Sequence, residues 1–259
     1  MSTKLFGTDG IRSRAGEFPL NAAALVAIAG CNSNQGNAAT GNGKSTVKVN
    51  PPKNGDWSTV VTQTAAGGYM MGNPNAKVTL IEYGSMTCPH CREFDETGVK
   101  PLINGYVKNG KVAFEYRNYV RDAFDLTASL IARCNGAKGF FPLTRALFKD
   151  QPQWIGKVQK LPPAQLEALQ NLPPNKQFVE LAKLAGFQQY AAIRGVPIAK
   201  STQCLTNENS VNQLVQMTGD ATSQYPDFQG TPTFILNGKM LERVGSWKEL
   251  ESKIKSALG

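Results

Sequence analysis

The run Lys77-Val78-Thr79-Leu80-Ile81-Glu82-Tyr83 leads through four residues into Cys88-Pro89-His90-Cys91, and no other feature restricts this chain so severely. The apolar, β-branched centre of the run predicts a strand covered on both faces. Pro89 suits the first position of a helix, where a fixed φ and a missing N–H cost nothing. The two cysteines therefore fall at a strand-to-helix turn, with their sulfurs on neighbouring positions of one helical turn, close enough to join and part. A helical segment to about residue 107 and a second strand over 111–117 complete a strand–helix–strand unit.

With Cys88 at the helix cap, its sulfur is expected to face unpaired backbone N–H groups and the positive end of the helix dipole, which favour thiolate over thiol. His90 can add a positive charge when protonated. A stabilised thiolate is a good leaving group, so the disulfide form of the pair is expected to be unstable and oxidising. Cys91, deeper in the turn, is expected to be shielded and to act as the resolving thiol. An inert structural disulfide is one competing reading. Zinc is another, but it needs further ligands: there is no second C-x-x-C, and His90 is the sole histidine. Metal would have to recruit Cys134 and Cys204 from far along the chain. No metal and no cofactor are expected.

Two carboxylates flank the pair. Glu82 lies on the incoming strand inside an apolar run, and Asp95 lies on the helix four residues after Cys91, so both can approach the sulfurs from beneath. A carboxylate there can relay the proton of Cys91, and desolvation would raise its pKa toward that task. The alternative is two solvated charges with no role, a reading that fits Asp95 better than Glu82. Downstream, Gly230-Thr231-Pro232-Thr233 opens the last strands, where a proline suits a cis turn or a strand edge.

Glu82, Cys88-Pro89-His90-Cys91, Asp95 and Thr231-Pro232, with Gly72-Asn73-Pro74 ahead of the strand, resemble the DsbA family of thiol:disulfide oxidoreductases over about residues 57–259. The resemblance implies an α/β, thioredoxin-like fold with a helical insertion domain. It implies Cys88 as nucleophile, Cys91 as resolving thiol, and a cis Pro232 against the active site. The backbone around Gly230 and Thr231 would pair with an extended substrate segment by adding a strand. Thr231 replaces the valine of the best-known oxidase, and its hydroxyl can hydrogen-bond the Cys88 sulfur and shift the potential. Implied partners are unfolded or reduced exported proteins and a membrane quinone-linked partner for reoxidation. A reductase or isomerase is the alternative within the class, and a C-x-x-C metal carrier the alternative outside it.

Residues 122–225 read mostly as helices, with apolar side chains at three-and-four spacing over 128–134, 143–148, 164–169 and 178–184. Strands are expected at 57–62 and 233–236, the latter turning at Asn237-Gly238 into 240–244. Ser246 caps a final helix bearing Trp247, Leu250, Ile254 and Leu258 on one face. Cys134 and Cys204 fall in the insertion. Paired, they would close a loop of about 70 residues, worth roughly 4 kcal/mol on the chain-entropy argument, and would fit an oxidising compartment. Two buried free thiols are the alternative.

The amino-terminal part has a different character. Residues 25–30 form an apolar run ending in two small residues before Cys31, as an export signal ends, and Ile28-Ala29-Gly30-Cys31 resembles a bacterial lipoprotein box, which implies acylation of Cys31 and anchoring to a membrane. The alternative is a short buried helix. Lys4 to Arg12 resembles the start of phosphoglucosamine mutase, but the Ser-His-Asn-Pro segment and metal loop of that family are missing, so no mutase activity is expected. Residues 1–30 are thus expected to be an atypical leader, 31–56 a flexible tether, and 57–259 the folded domain. The longest apolar stretch, residues 22–30, is too short to span a bilayer. The net charge of +9 is not concentrated in any run and does not demand nucleic acid. A periplasmic, membrane-anchored monomer is expected.

Overall fold

The structure is a computed structural model that describes residues 49–242 and 244–259, and the backbone of a short ladder pairing Phe6–Gly7 with Gly10–Ile11. Cys31, the remainder of the leader and the tether up to residue 48 lie outside the described residues.

Strands β1 (Val61–Gln63), β2 (Tyr69–Met71), β3 (Val78–Gly84), β4 (Val112–Asn118), β5 (Thr233–Leu236) and β6 (Lys239–Met240) form one sheet in the order β1-β2-β4-β3-β5-β6. Only β3 and β4 run parallel. They are joined by α1, a continuous helix over 89–107 that is α-helical at Pro89–Phe94 and Lys100–Leu102 and wound more widely at Asp95–Val99 and Ile103–Val107. The strand–helix–strand order read from the sequence holds. Alternation along β3 sends Val78, Leu80 and Glu82 to one face with the main core, and Ile81 and Tyr83 to the other.

Two strand expectations are corrected. Residues 57–62 do not form one strand: Asp56 accepts from Ser58 N (3.0 Å) and closes Trp57–Thr59 as a 3₁₀ turn, while Trp57 N donates to Lys108 O (3.0 Å). The β-branched run therefore enters the sheet only at Val61. The expected strand at 240–244 stops at Met240, because Gly245 and Ser246 are already held by Glu249 in the capping box of the final helix. Strand β2 has no local signal: Gly67-Gly68 reads as a break, yet Gly67, at φ 83°, turns a hairpin closed by Thr64 N to Gly68 O (2.9 Å).

Between β4 and β5 run α2 (Ala123–Arg133), α3 (Gly136–Lys149), α4 (Gln151–Gln159), α5 (Pro163–Gln170), α6 (Pro174–Leu184), α7 (Phe187–Ala192), α8 (Ile198–Leu205) and α9 (Glu208–Gln224). α10 (Trp247–Leu258) follows the sheet. The four predicted periodic runs fall in α2, α3, α5 and α6. α2 begins earlier than its periodicity suggests because Asp122 caps it, accepting from Asp125 N (2.9 Å), and every residue from Ala123 to Ala132 is buried. A helix covered all round carries no amphipathic stripe from which to read its start. Cys134, after α2, and Cys204, on α8, are joined in a disulfide with Cα atoms 5.7 Å apart across a separation of 70 residues. Among the described residues no helix is long and apolar enough to cross a membrane.

Candidate active site

Strand β3 ends at Gly84 against the ring of Tyr116 on β4, where a Cβ would come within 2.6 Å of the ring, so glycine is required for this close approach. The turn Ser85-Met86-Thr87 then delivers Cys88 to the amino end of α1. Cys88 has the extended backbone of a helix cap, with Pro89 at the first helical position. Both thiols are free and buried, Cys88 2% exposed and Cys91 fully enclosed.

The Cys88 sulfur makes no capping bond to the first-turn N–H groups. Its S–H instead donates to the backbone oxygen of Thr231 at 3.1 Å. In the dithiol the hydrogen bond of the Cys88 S–H thus goes to the loop before β5, while the first-turn Cys91 N–H still favours the thiolate, as the cap position predicts. As a thiolate Cys88 is nevertheless strongly favoured: its pKa is lowered to about 5, first by the Cys91 S–H, against the opposing effect of burial, and further by Thr231, the Cys91 N–H and the charge of Arg121. The Thr231 hydroxyl, buried and otherwise unpartnered, is the donor left for that sulfur once it ionises. Cys91 is pushed the other way, well above an ordinary thiol, by burial and then by its position as donor to Cys88; the Ser85 N–H, 3.4 Å from its sulfur, pulls slightly back. One deprotonated, one protonated sulfur is the arrangement that thiol–disulfide exchange needs.

Glu82 pairs in register with Tyr116 on β4 and Phe234 on β5, and is 2% exposed. Burial, then the nearby Asp95 and Cys88, hold its carboxyl well above the ordinary range. Asp95 is not a solvated charge: it is buried at the start of the first wide segment of α1, with Arg145 Nε 3.5 Å from its carboxylate, and burial raises it to about 6 against the pull of that arginine. Glu82, Asp95, Thr144 and Arg145 line a cavity of about 10 Å³, room for roughly one water. Wide helical turns of this kind concentrate at functional sites.

His90 is not brought to the sulfurs. Its side chain is 71% exposed on the outer face of α1, with Nδ1 3.6 Å from Glu93. The Thr231–Pro232 peptide is cis, and Gly230 before it has φ 152°, so the loop reaches Cys88 with its backbone.

Sequence reasoning missed the scaffold of the turn. Asp125 accepts from Met86 N (2.8 Å), Ser85 Oγ (2.5 Å) and Arg121 N (3.1 Å), and Gln151 Nε2 donates to Met86 O (2.8 Å) and Cys88 O (3.0 Å). The available signal, Asp122-x-x-Asp125 opening a helix, points only to capping. Among the described residues no three His, Cys, Asp or Glu side chains converge as metal ligands would.

A family profile described as thioredoxin matches residues 64–256. Curated relatives from Rickettsia prowazekii and Rickettsia bellii, provisionally named protein-disulfide oxidoreductases, are each 28% identical over 67% of this chain, and it covers 55% and 58% of them. The chain therefore spans little more than half the length of the curated relatives it matches. Among solved structures, the protein-disulfide isomerase from Novosphingobium aromaticivorans gives a TM-score of 0.69 at 35% identity, covering 73% of this chain and 96% of that one. Wolbachia pipientis alpha-DsbA1 gives 0.60 at 20% identity, covering 74% and 91%, a likeness of fold. With one profile spanning the cysteine pair, strands β2 to β6 and the intervening helices, the chain belongs to the thioredoxin family.

Proposed function

We propose that the chain is a thiol:disulfide oxidoreductase that passes disulfides to exported proteins through Cys88 and Cys91. The observation that carries the reading is a pair of free, buried cysteines three residues apart at the start of α1, with the Thr231 backbone oxygen 3.1 Å from the Cys88 sulfur, a setting that pushes Cys88 down to about 5 and Cys91 well above an ordinary thiol. In the disulfide form, a substrate thiolate attacks Cys88. A substrate–Cys88 bond forms, the Cys88–Cys91 bond breaks, and its electron pair stays on Cys91. Attack by a second substrate thiolate on the substrate sulfur of the mixed disulfide forms the substrate disulfide and expels Cys88 as a thiolate. Two electrons then reside on the pair, and Cys88 is an excellent leaving group.

Glu82, its carboxyl held well above the ordinary range by burial, supports a role as proton donor to the Cys91 anion, with Asp95 lining the same cavity. His90, its side chain turned outward toward Glu93, has no direct part in this reading of the exchange. The backbone around Gly230, Thr231 and Pro232 lies beside Cys88 and suits an added substrate strand. Oxidation is favoured over reduction because the lowered Cys88 pKa stabilises the dithiol form. The same fold supports isomerase chemistry, as the name of the Novosphingobium protein records. The Cys134–Cys204 disulfide supports an oxidising, extracytoplasmic compartment. Acylation of Cys31 and reoxidation by a quinone-linked membrane partner belong to the same reading.

The test is refolding of a reduced, denatured, disulfide-containing protein with catalytic amounts of the chain and an excess of glutathione disulfide. Recovery of native disulfides, lost in the Cys88→Ala variant, is expected. No acceleration over glutathione alone would overturn the assignment.

A further inference from the structure

The turn between β3 and α1 is held by a carboxylate outside the reacting set. Asp125 is fully buried on α2, forty residues from Ser85, and its oxygens collect Met86 N, Ser85 Oγ and Arg121 N, with Thr87 Oγ at 3.4 Å. Asp122 sits beside it, taking Asp125 N (2.9 Å) and Thr87 Oγ (3.4 Å). All of these partners are donors, so the site is built for an acceptor with no proton of its own. From the other side Gln151 takes the carbonyls of Met86 and Cys88. The turn is thus gripped by its N–H and hydroxyl groups from α2 and by its carbonyls from α4. What the turn presents to the reacting sulfurs is the Ser85 N–H, 3.4 Å from Cys91.

We propose that Asp125 is a positioning residue for the exchange: by fixing Ser85 and Met86 it keeps the Ser85 N–H on the Cys91 sulfur, where it hydrogen-bonds the anion formed as Cys91 keeps the electron pair of the broken Cys88–Cys91 bond. This rests on the oxidoreductase reading of the pair. Burial, followed by the neighbouring Asp125, moves Asp122 up to about 7, and burial moves Asp125 up to about 6. Asp125 is therefore the more readily ionised of the two. The groups facing them are Ser85, Thr87, Arg121 and, more distantly, Tyr116.

Two roles for this carboxylate predict opposite signs. A bare negative charge near the pair would oppose the Cys91 anion, so neutralising it would speed cleavage of the bond. A positioning residue loses its grip when neutralised, and cleavage slows. The experiment is reduction of the oxidised full-length chain by glutathione, followed by stopped-flow fluorescence, for the parent and the Asp125→Asn and Ser85→Ala variants. In parallel, the pKa of Cys88 is read in the Cys91→Ala background. The expected result is a rate about tenfold lower in Asp125→Asn at pH 8, with a smaller loss in Ser85→Ala and with the Cys88 pKa unmoved, as for loss of one charge-assisted hydrogen bond. An unchanged or faster rate, or a Cys88 pKa that moves together with the rate, overturns the proposal. If Asp125→Asn does not fold, Ser85→Ala decides alone, and an unchanged rate there overturns it. Glutathione reduces any accessible disulfide, so this readout stands whether or not the protein-refolding assay succeeds.

Discussion

Replacing Cys91 by alanine removes the largest single support of the Cys88 thiolate while leaving Thr231, the residue-91 N–H and Arg121 in place. A hydrogen bond to a charged group contributes about 1.5–3 kcal/mol. At about 1.4 kcal/mol per pK unit this is one to two units, so Cys88 should move from about 5 to roughly 6–7, still below the ordinary thiol value of 9.0. The sign extends to stability. Because the folded pKa is depressed, the thiolate stabilises the reduced fold fully above the unfolded thiol pKa, and this support is lost as pH falls through the folded value. The loss starts at the unfolded thiol pKa in both proteins and should be complete one to two pH units earlier on acidification in the reduced variant, which draws correspondingly less stability from the thiolate at alkaline pH. Ultraviolet thiolate absorbance against pH, with the Cys88→Ala, Cys91→Ala double variant as baseline, gives the shift directly. A Cys88 pKa still near 5 would show that Cys91 is not the donor, and one near 9 would show that Thr231, the N–H and Arg121 contribute nothing.

Other expectations follow from the same geometry. Thr231→Val deletes the hydroxyl beside the Cys88 sulfur and should raise the Cys88 pKa by about one unit, the low end of a charge-assisted bond, as read by the same absorbance titration. Glu82→Gln should slow substrate oxidation by roughly 10²-fold, the lower bound for a positioned proton carrier, measured by single-turnover kinetics. It should also stabilise the fold at pH 7: a carboxyl raised above its unfolded value opposes folding increasingly as pH climbs past 4.5, and chemical denaturation of the variant should show a gain that fades toward that pH. Replacing Cys134 and Cys204 together by alanine opens a 70-residue loop and should cost about 4 kcal/mol in urea unfolding; a loss below about 1 kcal/mol would remove the cross-link from the stability account.

The sequence made the reacting centre legible because its determinants are local. A proline after Cys88, an apolar run before it and a three-residue spacing place two sulfurs on one helical turn without reference to the rest of the fold. Glu82 was legible for a similar reason, since strand alternation puts it on the face of Leu80, toward the core. Asp95 was ambiguous because its burial depends on α3, which brings Arg145 across it. His90 points outward because Cys91 points inward on the same turn, an orientation fixed only once the helix packs on the sheet. Asp125 and Gln151 act on the Ser85–Cys88 segment from forty and more residues away. Their one local signature is helix capping, and no periodicity reports which turn a buried carboxylate will hold. The 3₁₀ turn at Trp57–Thr59 arose likewise from competition: strand propensity lost to the Asp56 cap and to the Lys108 carbonyl.

The central claim is that ionisation of Cys88 drives the chemistry, and the reduction potential of the Cys88–Cys91 pair as a function of pH tests it most directly. Relative to a thioredoxin-type pair at about −270 mV with a nucleophile pKa of about 7, a pKa of about 5 adds roughly 2 kcal/mol of dithiol stability at pH 7, or about 50 mV, giving a potential near −220 mV from this effect alone. Each proton taken up with the two electrons adds about 30 mV per pH unit, so the slope should be about 60 mV per unit below pH 5 and about 30 mV per unit above it. A straight line of about 60 mV per unit up to pH 8, or a potential at or below −270 mV at pH 7, would contradict the account.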